Sequence, residues 1–159
     1  MEFEVVIKKY EDKYKNIVGD IAIKAWTPLR EVAKTELGEV IYDKAFYDWQ
    51  AKKRKSVLDA MKSDDGHVAI IGDTVVGFIS YKVNGVIGVI GENAVDVNYK
   101  GKGIAQIMYK FVLDKMKEHG AEIATVFTGL DEGHAPARKA YERAGFSKNL
   151  KHITYYKEI

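Results

Sequence analysis

No cysteine occurs in the 159 residues, which excludes disulfides, thiolate nucleophiles, Cys-ligated zinc and thiol redox chemistry together. Proline is nearly as scarce. The two prolines, Pro28 and Pro136, stand beside helical patterns, and no Pro- or Ser-rich tract, repeat or biased segment marks a linker. A single domain over residues 1–159 is therefore expected. Charge does not lean strongly to one sign either: 25 Lys+Arg against 23 Asp+Glu leave a formal net charge of +2, too mild to point to nucleic acid as the partner. No apolar run approaches the ~18 residues of a membrane span, so no membrane partner is expected. The start, Met1-Glu2-Phe3-Glu4-Val5-Val6-Ile7-Lys8, turns charged too soon for a secretory signal, and the cytoplasm is the expected compartment.

What is present suffices for a self-standing core. The residues are 47% hydrophobic, and a chain of this length buries roughly 70% of the surface its unfolded form exposes. Val5 to Tyr10 reads as a short strand. Helical material follows from about Lys13 to Lys62, with breaks expected at Thr27-Pro28 and at Gly38. From His67 the texture turns β-branched and aromatic. His67–Ile71, Val75–Tyr81 and a third strand entered through the Asn84-Gly85 turn and reaching about Val97 make three antiparallel strands. Ile104, Ile107, Met108, Phe111, Val112 and Met116 then repeat at helical spacing up to Gly120, where a helix C-terminal glycine belongs. Ala121 to Thr128 reads as a strand, Pro136 to Ala144 as a short helix, and Ile153-Thr154-Tyr155-Tyr156 as a last strand. The order is that of an α+β domain on a mixed sheet.

The segment Asn93 to Ala105 runs from a strand through Lys100-Gly101-Lys102-Gly103 into the clearest helix. Such a turn aims free N–H groups and the positive end of the helix dipole at one point, and its glycines let an anion approach the backbone. Lys100 and Lys102 add positive charge, so the turn reads as a phosphate or pyrophosphate cradle. Glycine for turn geometry and lysine for solvation is the plainer alternative. A Walker loop needs Ser or Thr after its lysine, but Gly103 follows Lys102. A dinucleotide fingerprint wants a third glycine where Gln106 stands and a parallel βαβ unit rather than a hairpin-fed strand.

Lys100-Gly101-Lys102-Gly103-Ile104-Ala105 resembles the Gln/Arg-x-x-Gly-x-Gly/Ala signature of the GCN5-related N-acetyltransferases, the GNAT family, with Lys100 a conservative departure at the first position. His134-Ala135-Pro136-Ala137-Arg138-Lys139-Ala140-Tyr141-Glu142-Arg143-Ala144-Gly145-Phe146 resembles that family's second motif, Asn-x-x-Ala-x-x-x-Tyr-Glu-x-x-Gly-Phe. The two stand in the family's order, one strand apart. The resemblance implies a mixed α/β sandwich with a central, mostly antiparallel mixed sheet of six to seven strands and about four helices. It also implies an acetyl-CoA-dependent N-acetyltransferase acting on a primary amine through a ternary complex, with no metal. A non-catalytic acyl-CoA-binding regulatory module is the alternative, and a homodimer is left open.

By that resemblance the pyrophosphate of acetyl-CoA lies on backbone N–H groups of Gly101, Lys102, Gly103, Ile104, Ala105 and Gln106, with the charge of Lys100 beside them. The pantetheine arm lies beside Val95 and Val97, where Gly88 or Gly91 supplies a bulge that opens the sheet. Tyr141 matches the family's proton donor, since a phenol with an ordinary pKa near 10 is still protonated at neutral pH. A packed aromatic is its plainer role. Glu92, the only carboxylate between Val83 and Val95, is the candidate base against an exposed strand-end residue. His134 takes the motif's asparagine position, to bond the pantetheine or to serve merely as a helix-entry residue. Asp131 and Glu132 are placed to attract a cationic acceptor or to be solvated. Trp26, Tyr42, Phe46, Tyr47 and Trp49 fall in the region that in the family covers the acceptor. Lys52-Lys53-Arg54-Lys55 reads as a solvated helix face.

Overall fold

The computed structural model describes residues 3–159. Strand β1 (Val5–Lys9) leads through a 3-10 turn into helices α1 (Lys15–Leu37), α2 (Glu39–Ala45) and α3 (Trp49–Ser63). Strands β2 (Asp65–Ile71), β3 (Thr74–Asn84) and β4 (Ile87–Val95), helix α4 (Ile104–Glu118), strand β5 (Ile123–Val126) and helix α5 (Ala135–Arg143) follow. The strands form one sheet in the order β1-β2-β3-β4-β5, antiparallel throughout except for the parallel β4–β5 pair.

Helices cover both faces of this sheet. On one, Val18, Ile21 and Ala22 of α1 and Val57 and Met61 of α3 pack on Val68, Ile70, Val75 and Phe78. On the other, the stripe Ile104, Met108, Val112 and Met116 of α4 packs on Ala69, Val76, Ile79, Tyr81 and Ile90. Gly88 permits that second contact, because a Cβ there would stand 2.5 Å from the Met116 sulfur.

Three expectations are corrected. Helix α1 runs straight through Pro28; the break expected there is absent, and Thr27 Oγ1 donates to the Ile23 carbonyl at 2.8 Å in the turn that proline weakens. The break expected at Gly38 is present, with φ +75°, and a further one falls at Asp48, which adopts the left-handed conformation at φ 52°. The described residues therefore form five helices, where about four are expected. The strand expected at Ile153-Thr154-Tyr155-Tyr156 does not form, leaving five strands among the described residues rather than six or seven, and every residue from Ser147 to Ile159 is exposed. β-branched and aromatic side chains give a strand only where a neighbouring strand supplies the ladder. Val97, placed by the sequence on the third strand, lies beyond its end in a 3-10 turn (Val97–Tyr99) that the Asp96 carboxylate caps by accepting from Asn98 N–H at 2.9 Å.

Candidate functional site

The β4–β5 ladder pairs Ile87 to Ile90 with Ile123 to Val126 and stops there, so from Gly91 to Val95 strand β4 has a partner only in β3. A bulge sits at the same place. Between the pairs Ile79–Asn93 and Tyr81–Ile90 two residues of β4, Gly91 and Glu92, oppose the single Ser80 of β3. Buried Ser80 accepts from Glu92 N–H at 3.1 Å, and a Cβ on Gly91 would stand 2.4 Å from the Ser80 hydroxyl, so Gly91 is the glycine this bulge needs.

The bulge divides the chemistry between the two faces of the sheet. Glu92 turns toward α3, where Lys53 Nζ lies 2.7 Å from Oε2 and Ser56 Oγ donates to Oε1 at 3.3 Å. Asn93 turns toward α4 and α5: its Nδ2 donates to the Tyr141 hydroxyl at 3.1 Å, and its Oδ1 accepts from the Tyr109 hydroxyl at 3.1 Å. Nδ2 also donates to the Gly91 carbonyl at 3.2 Å, an acceptor only, which fixes the orientation of the amide. Tyr141 is 8% exposed, and burial raises its pKa against the opposing pull of its bond from Asn93 and of the neighbouring Tyr109 hydroxyl. Burial also pushes Tyr109 far up. Both phenols stay protonated across the neutral range.

The glycine turn lies just beyond β4. Gly101 and Gly103 both have φ +77°, a region that L side chains rarely adopt, and nothing stands within 4 Å of where their Cβ atoms would be. Gly103 is the N-cap of α4 and no side chain bonds the cap, so the first N–H groups of the helix face open space. Gln106 Nε2 donates to the Ala140 carbonyl at 2.9 Å, locking the start of α4 to the helix that carries Tyr141. Lys100 is exposed, and exposed Lys102 places its Nζ 4.6 Å from the Phe3 ring centroid. An open groove of about 730 Å³ lined by Val5, Ile71, Ile104 and Ile107 ends at Lys102 and touches none of the residues around Tyr141.

His134, at the entry to α5, holds Asp131 Oδ2 at 2.6 Å with Nδ1, leaving Nε2 as its one uncommitted nitrogen. Burial works to raise the Asp131 pKa, but the bonds from His134 outweigh it and hold that carboxyl below its ordinary value. Asp131 is thus occupied in capping the turn before α5.

Three contributors escaped the sequence. Asn93 carries no motif beyond its strand. Lys53 lies inside the basic run, yet its side chain is only 14% exposed and its ammonium is 3.8 Å from the Trp26 ring centroid, whereas Arg54 and Lys55 pair outward with Asp20 and Asp59. Burial lowers the Lys53 pKa, and the bond to Glu92 recovers part of that shift. Arg30 of α1 stands over Phe46, 4.5 Å from its centroid.

A family model described as the acetyltransferase (GNAT) family matches residues 24–146. The chain belongs to that family. Among solved structures, the PaiA N-acetyltransferase of Thermoplasma acidophilum in complex with coenzyme A superposes on this GNAT domain with a TM-score of 0.74 at 15% identity, over 94% of this chain and 93% of that one. AAC(6')-Iy in complex with the bisubstrate analogue CoA-S-monomethyl-acetylneamine superposes with a TM-score of 0.58 at 15% identity, over 98% and 99%. At these identities the likeness is one of fold. Mycothiol acetyltransferase of Corynebacterium glutamicum is 27% identical over 124 residues, which are 70% of this chain and 41% of that protein. The chain thus spans about two fifths of that relative's length. No helix among the described residues is long and apolar enough to cross a membrane.

Proposed function

We propose that this GNAT protein transfers the acetyl group of acetyl-CoA to a primary amine by direct attack. The observation that carries the reading is the placement of Glu92 and Tyr141 on opposite faces of β4 at the point where its ladder with β5 ends. A slot with a carboxylate on one side and a protonated phenol on the other suits a reaction that removes a proton from one reactant and returns one to a leaving group. The coenzyme A complex of one structural neighbour and the bisubstrate analogue of another support the choice of donor.

The cradle fits an anionic co-substrate: its glycines are open, its helix N-terminus has no side-chain cap, and lysines flank it. Backbone N–H groups from Gly101 to Gln106 would hold the pyrophosphate, with Lys100 and Lys102 adding screened charge. The free edge of β4 as far as Val95 offers backbone groups to the pantetheine amides, and Val97 serves from the turn rather than from the strand. His134 Nε2 is available to the same arm. Acetyl-CoA supplies a thioester whose C–S bond breaks as the C–N bond to the amine forms. Glu92, directly or through a water, takes the proton that the ammonium must lose before attack. The Tyr141 hydroxyl accepts from Asn93 and so keeps its own hydrogen free to pass to the departing sulfur. The products are an amide, the CoA thiol and one released proton.

The test is an amine panel read by CoA release, beside calorimetric binding of CoA. Turnover of at least one primary amine is expected. CoA binding with no turnover across the panel points instead to an acyl-CoA-binding regulatory module.

A further inference from the structure

Arg30 is a cation without a counter-ion among the described residues. Its guanidinium carbon lies 4.5 Å from the Phe46 ring centroid and 5.6 Å from that of Trp49. No carboxylate among the described residues forms an ion pair with it, and its Nε is buried with no hydrogen-bond partner. The other arginines are differently placed: Arg54 pairs with Asp20, Arg138 donates to two backbone carbonyls, and Arg143 is exposed. Burial lowers the Arg30 pKa, and the groups that oppose the shift are the phenols of Tyr42 and Tyr156 rather than any carboxylate.

Two aromatic faces offset part of the cost of burying this charge, but a ring satisfies none of the guanidinium's N–H donors. Those donors form a planar fork that matches a carboxylate. The location is equally specific. Arg30 acts electrostatically on Lys53, whose ammonium holds Glu92 at 2.7 Å and lies over Trp26. Lys53 is already matched by Glu92, so the guanidinium of Arg30 is the charge in this group of three that a ligand carboxylate would neutralise.

We infer that Arg30 recognises a carboxylate of the acceptor, and that the acceptor is an amino carboxylate with an apolar part that lies on Phe46 and Trp49. The inference rests on the reading of Glu92 as the group that meets the amine. Lys53 then holds Glu92 in place while Arg30 reads the other end of the same small molecule.

The chain's two tryptophans, Trp26 and Trp49, are the rings beside Lys53 and Arg30, so intrinsic fluorescence reports on this corner directly. The experiment titrates the protein with N-acetyl amino acids of small, aliphatic and aromatic side chain and, in parallel, with the corresponding N-acetyl amino amides. In wild type at least one acid binds about tenfold or more tighter than its amide, the scale of a charge-assisted bidentate contact. Arg30→Gln brings the pair within about twofold, Arg30→Lys retains part of the preference, and circular dichroism and CoA affinity are unchanged in both. Equal binding of acid and amide in wild type, a preference that survives Arg30→Gln, or no binding by either series at millimolar concentration overturns the inference. Calorimetry with CoA separates it from the reading beneath it. CoA binding without an acid preference removes Arg30's role alone, and an acid preference without CoA binding keeps that role and removes acetyl transfer.

Discussion

The Asn93 amide donates to the Tyr141 hydroxyl at 3.1 Å. Because the Tyr109 hydroxyl donates to the other end of the same amide, the three side chains form a chain with one direction, and its last hydrogen belongs to Tyr141. A tyrosine whose oxygen is already an acceptor is prepared to give its proton elsewhere. Burial raises the pKa of both phenols, so the donor form persists above neutral pH. Tyr141 also packs at 5.2 Å from Tyr109 and 6.1 Å from Phe146, centroid to centroid, which holds the ring without the hydroxyl.

Tyr141→Phe therefore removes one oxygen and leaves the packing. kcat should fall about 10²-fold, the low end for a lost general acid, with CoA affinity nearly constant. Steady-state kinetics on an acceptor from the panel, with calorimetry for CoA, checks both halves. Turnover equal to wild type would assign sulfur protonation to water.

Glu92→Gln should also lower kcat about 10²-fold, since an amide cannot take the ammonium's proton. The same change leaves the buried Lys53 ammonium facing a neutral group, so thermal stability should drop as well. The double variant Glu92→Gln with Lys53→Met removes both charges and should recover stability but not turnover. Recovery of both would make the pair purely structural.

At the cradle, Gly103→Glu sets a side chain at φ +77° and a negative charge at the open helix N-terminus proposed to hold the pyrophosphate. CoA affinity should fall more than tenfold in a variant that still unfolds cooperatively. Unchanged affinity in calorimetry would move the pyrophosphate away from this turn.

What could be read in advance was local. The stripe on α4 needs only the 3.6-residue period, and the hairpin expected at Asn84-Gly85 forms one residue further on, as a Gly85-Val86 loop closed by the Asn84–Ile87 pair with Gly85 at φ +60°. The face taken by Glu92 could not be read, because the bulge at Gly91 and Glu92 shifts strand alternation by one residue, and what makes the bulge is Ser80 on the neighbouring strand. Lys53 looked solvated because three of its basic neighbours do point outward; which residue of the run faces the sheet depends on how α3 docks. Pro28 was overridden by the burial of α1 on the sheet, and the Ile153–Tyr156 pattern has the propensity for a strand but no ladder. In each case the deciding partner is distant in sequence.

His67 should make stability sensitive to acid. Its ring lies 4.9 Å from that of Phe111 and 6.0 Å from that of Tyr81, and its Nδ1 is buried with no partner. Burial lowers its pKa, against smaller raising effects from Asp65, while Lys9 and Lys115 lower it further. The unfolded chain then binds a proton near pH 6.5 that the folded chain refuses, so stability is full above about pH 6.5 and falls as pH drops toward the folded value. His67→Phe keeps a ring and removes the titration. Melting temperatures from pH 7 to about pH 5 should decline less in the variant than in wild type. Equal declines would place the acid sensitivity elsewhere.

The bulge itself can be tested by a pair of substitutions. A Cβ on Gly91 meets the Ser80 hydroxyl at 2.4 Å, and that hydroxyl is fully buried and accepts from Glu92 N–H. It cannot simply swing away, because doing so leaves a buried donor unpaired. Gly91→Ala should cost about 1–3 kcal/mol, the range for an overpacked interior, and should also disturb the Glu92 carboxylate and the edge of β4. Ser80→Ala removes the clash but also the acceptor, and alone should be destabilising by about 1–3 kcal/mol. Combined, the next nearest atom to the new Cβ is the residue 80 carbonyl oxygen at 3.4 Å, an ordinary contact. The double variant should therefore be less destabilised than the sum of the singles, a coupling that denaturant unfolding of the four proteins measures. Strict additivity would mean that Gly91 is needed for its backbone and not for the space its hydrogen leaves to Ser80, and the slot beside β4 would then have to be held open by some other contact.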